Sequence, residues 1–71
     1  MIEIDDKFTK FADELKNDIK KIVDEDKSVR DLKDLTEMYG RRGWRTGAVA
    51  DVRKMLIYAA ALVYKVKNMG D

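Results

Sequence analysis

The chain has 71 residues, of which 15 are basic and 14 acidic, so its formal charge at pH 7 is +1. It contains no cysteine, histidine or proline. The lack of cysteine excludes a disulfide framework and a thiolate zinc site, and the lack of histidine removes the commonest general base and metal ligand. With no proline and only four glycines, the chain lacks the turn residues of a small β protein. We therefore expect one helical domain over residues 1–71.

The first predicted helix covers residues 4–24. Its apolar residues recur at steps of three and four, which places them on one face of a helix. They are Ile4, Phe8, Phe11, Leu15, Ile19 and Ile22. Asp5 or Asp6 can cap its first turn.

The second predicted helix covers residues 28–39. Ser28 and Asp31 have the spacing of a capping box, in which a serine side chain accepts a hydrogen bond from an amide of the first turn. Gly40 is expected to end this helix in a left-handed conformation. Because Gly43 and Gly47 follow within seven residues, we predict a loop over residues 40–46.

The third predicted helix covers residues 47–69, with Thr46 as its cap. Between residues 55 and 64 no side chain is charged, and a helix that is apolar all round is usually buried. Its apolar residues form three stripes: Val49, Val52, Leu56, Ala59, Ala60 and Val63; Met55, Tyr58 and Leu62; and Ile57, Ala61 and Tyr64. We therefore predict an all-α fold, a compact three-helix bundle with an apolar central C-terminal helix.

Two short amphipathic helices cannot cover the whole circumference of the third. We therefore expect a homodimer that buries one of the last two stripes, with Met55, Ile57, Tyr58, Ala61, Leu62 and Tyr64 as the candidate interface residues.

The charges are divided unevenly along the chain. Residues 1–39 carry a net charge of −4 and residues 40–71 a net charge of +5. Lysine supplies most of the basic residues before Gly40, whereas arginine clusters after it. Arginine offers a planar fork that suits carboxylates, phosphates and aromatic rings. The candidate partner-binding residues are Arg41, Arg42, Trp44, Arg45 and Arg53.

Trp44 admits two interpretations. As an exposed residue of the loop it would contact a partner, since tryptophan and arginine are enriched at interface hot spots. Alternatively, it folds back and plugs the open end of the bundle.

The function that we favour is a small non-catalytic binding or regulatory protein that docks on a protein partner through the Arg/Trp loop and the apolar third helix. The alternative is a small RNA- or DNA-binding protein whose arginines contact phosphates at the N-terminus of the third helix. We expect no enzymatic activity, because no histidine can activate a nucleophile and the carboxylates lie on open helix faces.

No cofactor, metal or membrane association is expected, and the location expected is the cytoplasm. The acidic stretch at residues 24–26 begins like a calcium loop, but Val29 and Leu35 stand where that loop needs glycine and glutamate. The longest apolar run has ten residues, about half the length that spans a bilayer. Three of the first six residues are acidic and none is basic, whereas a secretory signal would begin with basic residues.

Overall fold

The computed structural model describes residues 6–69, which form three α-helices. Helix α1 is Asp6–Asp24, α2 is Val29–Thr46 and α3 is Val49–Met69. The prediction of an all-α three-helix bundle is therefore confirmed for the described range. Ile4 and Asp5, which were predicted for the first turn, lie outside the described residues.

Helix α3 is the central element, as the sequence predicted. It packs against both α1 and α2, whereas among the described residues no Cα atom of α1 comes within 8 Å of one in α2. The molecule is only 20 Å thick, which is about two helix diameters. The bundle is therefore flat, with α1 and α2 both packed on α3.

The core is small and lies mainly between α2 and α3. Leu32 of α2 is buried, as are Ile57 and Ala61 of α3. Helix α1 contributes no fully buried side chain, although Ile19 and Ile22 on its apolar face are half-buried. Because hydrophobic stabilisation scales with the apolar area removed from water, α1 is held more weakly than α2.

The predicted cap of α2 is confirmed. Ser28 has the extended backbone of an N-cap residue (φ −65°, ψ 158°), and its Oγ accepts a hydrogen bond from the Asp31 amide at 3.1 Å. The connector before it is tied to the far end of α3, because Lys65 Nζ donates to the Lys27 carbonyl at 2.6 Å and to Asp26 Oδ1 at 3.1 Å. These bonds set where α2 begins relative to α3.

The prediction of a loop over residues 40–46 was wrong, because α2 continues through Gly40 and Gly43 to Thr46. The two glycines face α3 at close range. A Cβ atom at Gly43 would lie 3.0 Å from Cγ2 of Val52, and one at Gly40 would lie 3.2 Å from Sδ of Met55. Glycine weakens a helix interior by about 0.5–1 kcal/mol relative to alanine. Here the close approach of α3 offsets that cost.

The turn between α2 and α3 depends on a third glycine, Gly47. Gly47 has φ 68°, in the left-handed region, and its amide donates to the Gly43 carbonyl at 2.8 Å. This is a glycine C-terminal cap. Thr46 was predicted to cap α3 but belongs to α2. Its Oγ1 donates to the Arg42 carbonyl at 2.7 Å and accepts from the Ala48 amide at 3.1 Å.

None of the helices in the described range combines the length and apolarity needed to cross a lipid bilayer.

Candidate docking surface

Trp44 lies on the last turns of α2, and its side chain is 92% exposed. The interpretation in which it plugs the end of the bundle is therefore wrong. Its neighbour Gly43 packs directly on Val52, so the backbone that carries the indole is held against α3. A large aromatic side chain is thus presented to solvent by an ordered helix rather than by a loop.

Two of the predicted arginines accompany Trp44 on the outer surface of α2. Arg41 and Arg45 are one helical turn apart, and both are exposed. Residues three apart are neighbours on a helix, so Arg41 lies beside Trp44. Arg41 Nη2 lies 3.8 Å from Glu37 Oε2, and exposed pairs of this kind contribute only about 0–1 kcal/mol. We call Arg41, Trp44 and Arg45 the Trp44 surface.

The Trp44 surface continues into a shallow groove along α2. Its lining residues are Asp34, Glu37, Met38, Arg41, Arg42 and Arg45. The two carboxylates precede Met38 along α2 and the three arginines follow it, so the groove is acidic at one end and basic at the other.

Arg42 has an internal role in joining α2 to α3. Its Nη2 lies 3.7 Å from Oδ1 of the buried Asp51, and its guanidinium lies 5.6 Å from the centre of the Tyr39 ring. That ring stacks on Tyr58 of α3 at 5.6 Å between centroids, with 8° between the planes. Lys54 Nζ lies over the same ring at 5.2 Å. Arg42 therefore stabilises the contact between the two helices.

Arg53 is separated from the other predicted arginines. Its Nη2 donates to Asp18 Oδ2 at 2.8 Å and lies 4.0 Å from Glu14 Oε2, both on α1. It therefore joins α3 to α1. The four arginines are close in the chain, so the sequence predicts one cluster, but the carboxylate partners of Arg53 are more than thirty residues away.

The N-terminus of α3 is the place where the nucleic-acid interpretation puts a phosphate. In the structure this end holds the buried carboxylate of Asp51 in its first turn. Thr46 Oγ1 lies 3.3 Å from Asp51 Oδ2 and accepts from the Ala48 amide. A carboxylate already compensates the positive end of the helix dipole and repels an incoming phosphate.

The residues predicted for a dimer interface are largely used within the chain. They are Met55, Ile57, Tyr58, Ala61, Leu62 and Tyr64. Ile57 and Ala61 are 7% and 1% exposed, and Tyr58 stacks on α2. Of the six, only Tyr64 is exposed. Apart from Tyr64, the two stripes expected to form the dimer interface are therefore buried or half-buried within the chain.

The apolar face that stays uncovered is a different one. It consists of Val49, Val52, Leu56, Ala59, Val63 and Val66 on α3, which we call the uncovered seam. All of these side chains are exposed except that of Ala59, which is half-buried; Val49 and Val63 are 80% and 65% exposed. Five of these residues belong to the first stripe predicted from the sequence, whereas the dimer was expected on one of the other two. Three apolar stripes look alike until the neighbouring helices are placed.

The structure provides no sign of a metal centre, since the described residues contain no group of three acidic side chains arranged to hold an ion. No protein-family model, curated protein or solved structure matches this chain.

Proposed function

We propose that this chain is a small non-catalytic binding protein with a regulatory role, which docks on a protein partner through the Trp44 surface. The observation that carries the proposal is the exposure of Trp44, at 92%, on a helix that is fixed against α3. Tryptophan and arginine are the side chains most enriched at binding hot spots. Because the backbone that carries Trp44 is already held in a helix, binding needs to order only the side chain, which has two rotatable bonds.

The charges of the Trp44 surface favour a protein partner over a nucleic acid. Arg41 and Arg45 are exposed there, but Arg41 already lies 3.8 Å from Glu37, and Asp34 lies in the same groove. A nucleic-acid backbone would meet these carboxylates as well as the arginines, whereas a protein can place charges of either sign opposite them. A suitable partner offers an apolar pocket for the indole, with carboxylates at its rim for Arg41 and Arg45. The lack of cysteine suits the reducing cytoplasm.

The proposal is tested by comparing affinity-tagged parent protein with Trp44→Ala in a native lysate, with and without nuclease. We expect the parent to retain a defined protein after nuclease treatment, and Trp44→Ala to lose it. Met69→Ala is the matched control. Met69 is also a large exposed apolar residue, but it lies at the C-terminal end of α3, far along the chain from the junction of α2 and α3. A partner retained equally by the parent and Trp44→Ala would contradict the proposal, and so would loss of binding on nuclease treatment.

The two exposed arginines provide a second test once a partner has been isolated. Arg41→Ala combined with Arg45→Ala should raise the off-rate or lower the on-rate moderately. For a nucleic-acid ligand, the same change would lower the slope of log K against log salt by about one unit for each lost phosphate contact. A large change of slope would therefore support the nucleic-acid alternative and contradict protein docking.

A further inference from the structure

We infer that a second copy of this chain docks on the uncovered seam, so that two α3 helices pair antiparallel around a two-fold axis. The inference rests on the seam alone and is independent of the Trp44 surface. It also replaces the dimer interface expected from the sequence, because Ile57 and Ala61 are buried within the chain.

The spacing of the seam is that of a helix that packs on another helix. Its positions 49, 52, 56, 59, 63 and 66 alternate steps of three and four, which is the apolar repeat of a coiled coil. All six residues are apolar, and they extend over about 26 Å of helix at 1.5 Å per residue. Helix α2 reaches the seam at Val52, which faces Gly43 but keeps 45% of its surface exposed. Toward the two ends the seam is more open, since Val49 and Val63 are 80% and 65% exposed.

The chain also exposes more surface than a folded monomer of its size. Its accessible area is 5922 Å², whereas a mass of 8.2 kDa corresponds to about 4,500 Å² for a typical monomer. The difference exceeds the roughly 800 Å² that each partner buries in a standard interface. Part of the excess belongs to α1, where Phe8 and Phe11 are 57% and 46% exposed. Pairing along the seam would cover the part that this face of α3 contributes.

A second copy fits the seam because the seam is symmetric about its own middle. In an antiparallel pair centred between residues 57 and 58, Val49 lies opposite Val66 of the second copy, and Val52 lies opposite Val63. Leu56 then lies opposite Ala59, so the largest side chain meets the smallest. A two-fold interface needs a patch that is complementary to itself in this way.

The charges near the seam do not oppose this pairing. No seam residue is charged. Arg53, on the neighbouring position of α3, is already paired with Asp18 at 2.8 Å. In the same register Lys67 lies opposite Ala48, beyond the last apolar pair. Because the seam carries no charge, electrostatics neither opposes nor favours a second copy, and the match of side-chain sizes across the two-fold axis supports it.

Sedimentation equilibrium of the full chain tests the inference. We expect a dimer at micromolar concentration, and a monomer of unchanged helix content for Val63→Glu, since two carboxylates would face the apolar seam. Val63→Thr, which keeps the shape, should raise the dissociation constant at least tenfold while leaving the fold intact. Met38→Glu is the matched control, because Met38 is also an exposed apolar residue but lies on α2; this variant should remain dimeric. A monomeric parent, or a dimer that Val63→Glu leaves intact, would overturn the inference.

The register is tested by disulfide cross-linking, since the chain has no cysteine of its own. Val49→Cys and Val66→Cys should each fail to cross-link alone, because equivalent positions lie about 26 Å apart along an antiparallel pair. A disulfide needs Cα atoms about 4.4–6.8 Å apart. An equal mixture of the two variants should form the 49–66 cross-link. Cross-linking of either variant with itself would show a parallel pair, and no cross-link in the mixture would exclude this register.

Discussion

At the scale of single residues, the side chain of Trp44 contributes almost nothing to the fold that presents it. Surface substitutions of this kind change stability by about ±0.5 kcal/mol or less. We therefore expect Trp44→Ala to leave the free energy of unfolding nearly unchanged, as measured by circular dichroism in urea. Leu32→Ala is the comparison, because Leu32 is the most buried large side chain and its truncation should cost about 2–5 kcal/mol. A large loss for Trp44→Ala would mean that the indole packs on its own chain.

Ser28 offers a second test at this scale. Its Oγ satisfies an amide that α2 leaves without an intrahelical partner. Ser28→Ala should therefore lower the free energy of unfolding by about 0.5–2 kcal/mol. Ser28→Asp is the control, since aspartate is an equally good N-cap residue and its charge suits the helix dipole. Equal destabilisation by both variants would show that the hydroxyl has a role other than capping.

The role of Ser28 is predictable from the sequence, whereas those of Arg42 and Arg53 are not, because they depend on different distances along the chain. The cap is a local motif, completed by Asp31 three residues later. The roles of Arg42 and Arg53 are decided by Asp51 and Asp18, which other helices bring into reach. A cluster of arginines in the sequence therefore does not reveal which of them remain free.

At the scale of secondary-structure elements, the contact between α2 and α3 depends on a glycine in the helix interior. Gly43→Ala should destabilise the protein by about 1–3 kcal/mol, because the new Cβ atom would lie 3.0 Å from Cγ2 and 3.3 Å from the backbone nitrogen of Val52. Denaturant unfolding measures the effect.

Gly40→Ala is the matched control. Its new Cβ atom would meet the flexible end of Met55 at 3.2 Å, which can move aside, and alanine favours the helix by about 0.8–1.0 kcal/mol. This variant should be as stable as the parent or slightly more stable. Equal losses of stability for Gly40→Ala and Gly43→Ala would contradict this explanation, in which the Met55 side chain can move aside and the Val52 backbone cannot.

The same glycines explain why the end of α2 was predicted wrongly. Glycine interrupts helices in local statistics, but it also allows two helices to approach closely. The two uses cannot be distinguished without the neighbouring helix. The left-handed residue is Gly47 (φ 68°), not Gly40, which continues the helix.

At the scale of the whole molecule, stability is distributed unevenly among the helices. Helix α1 has no fully buried side chain, and one of its links to α3 is the half-exposed pair of Asp18 and Arg53. Local unfolding begins where apolar burial is least. Hydrogen exchange should therefore show faster exchange of the α1 amides than of those in the middle of α2 and α3. Equal protection of all three helices would mean that the chain opens only as one unit.

The sequence identified the central helix but could not determine which of its faces would remain open. An uncharged surface on all sides of residues 55–64 is sufficient to predict that α3 is central. Which stripe is covered depends on the directions from which α1 and α2 approach. Those directions are set by the contact of Gly43 with Val52 and by the ion pair of Arg53 with Asp18. The first involves a glycine, which in a sequence indicates a turn as readily as a close helix contact. The second joins residues that are distant in the chain.

The glycine-lined contact between α2 and α3 also links recognition to folding. The segment that carries Trp44 contains two glycines, and a short helix with such residues is unstable in isolation. Docking on α3 therefore stabilises its helical form. A partner that binds only this form would find its apparent affinity reduced in proportion to the folded fraction. At a hundred times its dissociation constant, the same partner would add about 2.7 kcal/mol to the stability of the chain. Substitutions in the core at Leu32 would then weaken binding in cells without altering any residue that the partner touches.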